Sequence, residues 1–107
     1  MEKNRTEHLI LEHALLHIKP GQSAAFEAAM KQAKPLIAAS PGFVAIDVHS
    51  AAEVPDTYLL LVKWQSIAAH RDGFRKSQRY AKWKALLHHF YDPMPEVSYF
   101  SEPPDEQ

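Results

Sequence analysis

Six side chains suited to binding or proton chemistry fall between positions 64 and 83 of this sequence: Trp64, His70, Phe74, Arg75, Tyr80 and Trp83. His70 is the natural proton acceptor, because an imidazole titrates near neutrality. Arg75 offers a guanidinium to a phenolate or carboxylate. Tyr80 can donate a hydrogen bond to a developing oxyanion. Trp64 and Trp83 can sandwich an aromatic ring, with Phe74 as a further apolar wall. Around them Arg71, Arg75, Lys76, Arg79, Lys82 and Lys84 stand against Asp72 alone, an excess that favours an anionic aromatic ligand. Together these types describe a pocket for a small aromatic molecule with a base at hand.

The same residues have ordinary structural uses. Trp64 and Trp83, at a strand end and on a helix stripe, are typical core positions. His70 on a short helix can face a cleft or water, and the basic run can be a solvated face. His88 and His89 read as favourable cations at a helix C-terminus. His8, His13 and His17 share a strand but not a face, and His13 and His17 lie about 13 Å apart, too far to chelate together. No metal site is expected.

The elements that must position these side chains follow from periodicity. His8 to Ile18 alternates as a strand, with Ile10, Glu12, Ala14, Leu16 and Ile18 on one face and Leu9, Leu11, His13, Leu15 and His17 on the other. Both faces are largely apolar. Gln22 to Ala39 reads as a helix with Phe26, Met30, Ala33 and Ile37 as its buried stripe; Pro35 predicts a kink or break. Phe43 to Ser50 is a second strand, with Phe43, Ala45, Asp47 and His49 on one face and Val44, Ile46 and Val48 on the other. Tyr58 to Trp64 is a central strand, apolar on both sides.

Ser66 then caps a short helix from Ile67 to about Asp72, ended by Gly73. A second helix from near Ser77 carries Tyr80, Trp83, Leu87 and Phe90 on one stripe. Glu96 to Phe100 is a last strand. Strand, helix, strand, strand, helix pair, strand is the split βαβ, ferredoxin-like α+β arrangement, an antiparallel sheet with helices on one face. The other sheet face is apolar too, and a second copy packed sheet to sheet covers it most simply, which predicts a homodimer.

Composition sets the bounds. At 107 residues the chain is one domain, with polar tails at 1–7 and 102–107. A net charge of −1 argues against nucleic-acid binding. Absence of cysteine excludes disulfides, thiolate metal sites and cysteine nucleophiles. No apolar stretch reaches the ~20 residues of a membrane span, and Met1 to Glu7 carries no apolar signal region, so a cytoplasmic protein is expected. Asn4-Arg5-Thr6 matches a glycosylation sequon by chance.

Several short pieces carry a family resemblance: Ile18-Lys19-Pro20-Gly21, Ser40-Pro41-Gly42-Phe43, Trp64-Gln65-Ser66 with Ala69-His70, Gly73-Phe74-Arg75-Lys76-Ser77, and Pro95-Glu96-Val97. In this order and spacing, from His8 to Phe100, the chain resembles the antibiotic biosynthesis monooxygenase family of small dimeric α+β barrels. The resemblance implies the fold, the dimer and a pocket between sheet and helices. Members include cofactor-free oxygenases of polyphenols, haem-degrading enzymes, an isomerase of a signalling sugar and proteins without known activity. Haem-degrading relatives use a first-strand asparagine, a tryptophan ending the third strand and a histidine ligand on the last helix. Trp64 matches, but the other two positions fall on Ala14 and about Lys84, which disfavours haem.

The reading favoured by this resemblance is a cofactor-free monooxygenase acting on an aromatic or quinol-like substrate and dioxygen. Its catalytic candidates are His70, Trp64, Arg75 and Tyr80; Phe74 and Trp83 would bind substrate. Neither metal nor cofactor is expected. A helix-turn-helix at Gly73 is disfavoured, since Tyr80, Trp83 and Leu87 occupy the packing stripe of the second helix. A non-catalytic dimeric binding protein of the same fold is the alternative.

Overall fold

A computed structural model of the chain describes residues 8–104. Four antiparallel strands, β1 (Ile10–His17), β2 (Phe43–Ser50), β3 (Thr57–Trp64) and β4 (Ser98–Ser101), form one sheet in the order β2-β3-β1-β4. Helix α1 (Ser23–Ala38), a π-helical segment (Ala69–Phe74), helix α2 (Gln78–Leu87) and a 3₁₀ turn (His88–Phe90) complete the fold. Single-domain tails expected at 1–7 lie outside the described residues; Glu102 to Pro104 is exposed coil.

Alternation decides which face of the sheet is buried. Ala14, Leu16, Tyr58, Leu60, Val62 and Trp64 point inward and are buried against Phe26, Met30, Ala33 and Ile37 of α1 and Trp83 and Leu87 of α2. The α1 stripe is the one that its spacing predicts. Register then fixes the site. Glu12 pairs with Val62 on one side and Tyr99 on the other, so a carboxylate and a phenol enter the inner face side by side.

Three expectations are corrected. Helix α1 does not break at Pro35: it runs on to Ala38, and the Ala39 N–H donates to the Pro35 carbonyl at 3.2 Å. Pro35 lies in the last turn, where its missing donor affects a single hydrogen bond. In β2 the register shifts between Phe43 and Ala45. This bulge turns Phe43 onto the inner face, against Trp64 at 5.9 Å between ring centroids, instead of beside Asp47 and His49. Finally, Gly73 does not end the short helix. The chain widens into a π turn closed by the Arg75 N–H donating to the His70 carbonyl at 3.0 Å. His70 and Phe74 are both buried as a result.

The entry to that segment is built by a close approach. Gly42 has φ +88° and a Cβ there would lie 2.6 Å from the Ala69 Cβ, so only glycine fits. Its carbonyl accepts from the Gln65 N–H at 2.8 Å. As its sequence position predicts, Ser66 caps the segment, its Oγ accepting from the Ala69 N–H at 3.0 Å. Ser77 does the same for α2, accepting from the Tyr80 N–H.

The outer face of the sheet stays open. Leu15 is 47% and Phe100 50% exposed, with Leu11, Leu59 and Leu61 half-buried between them.

Candidate active site

A cavity of about 270 Å³ opens between the inner face of the sheet and the segment from the π turn to Val97. Ala14, Leu16, Leu60 and Ile37 make its apolar floor, and Phe74, Trp83 and Tyr91 its aromatic walls. Arg75, Tyr80, His88 and Met94 also line it, and Glu12 and His70 bring polar atoms to it. An apolar lining with a few convergent polar groups is what a small-molecule site requires.

Of the six residues singled out by type, five meet here: His70, Phe74, Arg75, Tyr80 and Trp83. The π turn and α2 pack the aromatic ones edge to face, Phe74 lying 5.4 Å from Tyr80 and 5.7 Å from Trp83 between centroids. Trp64 does not line the cavity. It is fully buried beneath it and acts through its indole N–H, which donates to Glu12 Oε1 at 2.8 Å.

Glu12 is the residue that spacing alone did not single out. It is 4% exposed, on the inner face of β1 among leucines and alanine. Its Oε1 also lies 3.5 Å from His70 Nε2, and His70 Nδ1 lies 2.7 Å from the Tyr99 hydroxyl. Trp64, Glu12, His70 and Tyr99 therefore form one line of polar contacts across β3, β1, the π turn and β4, hydrogen-bonded at its two ends and closed by the 3.5 Å Glu12–His70 approach in the middle. The available signal was a lone carboxylate on the buried face of an apolar strand, since an acid there needs a partner.

Burial governs the charges. It pushes Glu12 up to about 7, against the opposing pull of the Trp64 hydrogen bond and the Arg75 charge. Burial pulls His70 down to about 4, helped by the positive charges of Arg75 and Arg71. His70 is thus uncharged at neutral pH, and Glu12 is the group poised to gain or lose a proton there. His88 also departs from its expected role. It lines the cavity, and burial with the charges of Lys84 and Arg75 lowers its pKa, which weakens it as a helix-terminal cation.

Two cations lie over aromatic rings beside the site. The Arg71 guanidinium lies 5.4 Å from the Tyr99 ring centroid and Lys84 Nζ 5.6 Å from that of Tyr80. Asp72, the lone acid of the run, is paired with Lys76 at 3.4 Å. For haem the residues do not fit: Ala14 lines the cavity with a methyl where a polar side chain is needed, and the Lys84 ammonium lies over Tyr80. Among the described residues no group of three His, Asp or Glu side chains is placed to hold a metal, and no helix is long and apolar enough to cross a membrane.

A four-stranded antiparallel sheet with helices on one face and an aromatic-walled pocket between them defines a ferredoxin-like α+β fold. Residues 9–86 match the model of the antibiotic biosynthesis monooxygenase family, and the chain belongs to that family. It is 43% identical over 94 residues to the uncharacterized protein YczJ of Bacillus subtilis, spanning 88% of this chain and 99% of that protein. A Bordetella bronchiseptica structure bearing the family's name superposes with a TM-score of 0.85 at 30% identity, covering 89% of this chain and 97% of its own. Rv0793 of Mycobacterium tuberculosis shares the fold with a TM-score of 0.74 at 20% identity, over 92% and 97% of the two chains.

Proposed function

We propose that the chain is a cofactor-free monooxygenase of a small phenolic or quinol-like aromatic, working as a homodimer packed through the outer sheet face. The observation that carries this reading is the buried Glu12–His70 pair set into an aromatic-walled cavity. A phenol lying between Phe74, Trp83 and Tyr91 gives up its hydroxyl proton to that pair. The phenolate then passes one electron to dioxygen, and the two radicals couple at a ring carbon to form a peroxide. The stored proton returns to the peroxide, and loss of water from the hydroperoxide and that carbon's hydrogen leaves a carbonyl. One substrate and one dioxygen give one quinone-type product and one water, with no outside reductant. Arg75 and Tyr80 at the cavity favour the phenolate and the peroxide over their neutral forms.

One observation favours a second reading, a non-catalytic dimeric binding protein: both ring nitrogens of His70 face protein groups. Oxygen uptake by metal-free protein with a panel of hydroquinones and dihydroxy-aromatics separates the two. Uptake supports the oxygenase; binding without uptake supports the second reading.

A further inference from the structure

We infer that Glu12 is the group that takes the substrate proton and hands it back, with His70 and Tyr99 as positioning residues that hold it ready. This rests on the oxygenase reading above and names the working residue within it.

The geometry separates the two oxygens of the carboxyl group. Oε1 is taken up by the Trp64 indole at 2.8 Å and faces His70 Nε2 at 3.5 Å. That leaves Oε2 for whatever occupies the cavity that Glu12 lines. His70 has no such free atom. Nε2 faces Glu12 and Nδ1 lies 2.7 Å from the Tyr99 hydroxyl, so the ring is a spacer between two protein groups. When the Tyr99 hydroxyl donates to Nδ1, the ring proton sits on Nε2 and faces Oε1. That tautomer favours the ionised carboxylate without carrying a charge itself. The titratable and charged groups facing Glu12 are His70 and Arg75 from the π turn, Tyr99 from β4 and Tyr91 after α2. Arg75 favours the carboxylate and burial the acid, leaving Glu12 near neutrality, where proton uptake and return are both easy.

Carbon-13 NMR of glutamate-labelled protein, assigned with Glu12→Gln, tests this without any substrate. The expected result is a Glu12 midpoint near pH 7. Tyr99→Phe keeps the ring but lets the His70 proton move to Nδ1, which turns a lone pair toward Oε1. The Glu12 midpoint then rises and the imidazole nitrogen-15 shifts change. A Glu12 midpoint in the ordinary carboxylate range, or one indifferent to Tyr99→Phe, overturns the inference. With a substrate in hand, Glu12→Gln costs on the order of a hundredfold in kcat. Glu12→Asp recovers part of it, and Tyr99→Phe moves the pH–rate midpoint with the NMR midpoint. Equal rates for wild type and Glu12→Gln overturn the inference even where oxygen uptake upholds the oxygenase. Absence of oxygen uptake with every substrate removes the oxygenase reading, and the titration alone then decides whether Glu12 is held for proton exchange.

Discussion

Glu12 Oε1 and His70 Nε2 lie 3.5 Å apart in the interior, with Glu12 pushed up to about 7 and His70 pulled down to about 4. The two shifts have opposite consequences for stability. Between pH 4.5 and 7 the folded state keeps a proton on Glu12 that the unfolded chain releases, so this group's contribution falls as pH rises. Between about pH 4 and 6.5 the unfolded chain protonates His70 and the folded state does not, so that contribution rises with pH.

In their common window, about pH 4.5 to 6.5, the terms oppose each other and the pair leaves stability nearly flat. Glu12→Gln removes one of them. Relative to wild type, this variant should gain stability as pH rises from 4.5 to 6.5, and His70→Gln should lose it. Urea unfolding at several pH values reads both slopes; parallel curves for all three proteins would show that the shifts are absent.

Gly42→Ala should be costly despite lying outside the cavity. Its Cβ would meet the Ala69 Cβ at 2.6 Å, at a backbone φ of +88°. Overpacking and the left-handed backbone together predict a loss of about 2–4 kcal/mol, measured by the urea midpoint. Because Ala69 precedes His70, the variant should also weaken ligand binding.

The outer sheet face should make the dimer. Leu15 and Phe100 stand half exposed there, and Phe100 packs edge-on to His13 at 5.6 Å between centroids. Sedimentation should give twice 12.2 kDa for the wild type and 12.2 kDa for Leu15→Lys with Phe100→Ser. A wild-type monomer at micromolar concentration would remove the dimer.

Haemin titration should give no saturating Soret shift at one per chain, because the resemblance to haem-degrading relatives sets Ala14 and about Lys84 where those proteins carry their asparagine and histidine. His88 is the residue to replace first if saturation appears, since it lines the cavity.

Most of the fold was legible because alternation and helical stripes report burial directly. Ala14, Leu16, Phe26, Met30 and Ile37 fall on the faces that their spacing assigns them. What was not legible depended on small backbone departures. The β2 bulge moved Phe43 across the sheet, and the π turn carried Gly73 inside a helical segment. Within the site, residue type and local sequence pointed to the π turn and α2. Glu12 and Tyr99 are 87 positions apart, and only the β1–β4 register places them together. His88 was read as a terminal cation because a helix end offers that role, whereas it also stands half-buried in the cavity wall.

Oxygen uptake by metal-free, cofactor-free protein is the most direct measurement of the central claim, run with hydroquinones and dihydroxy-aromatics on wild type, His70→Ala and Trp64→Phe. The account predicts uptake of one dioxygen per substrate without hydrogen peroxide accumulating. It also predicts a loss on the order of a hundredfold for His70→Ala, which leaves Glu12 without its partner. Trp64→Phe should show a smaller loss, since one hydrogen bond to Glu12 is removed. Uptake only after adding flavin or metal, or no uptake from compounds that demonstrably bind the cavity, would contradict it.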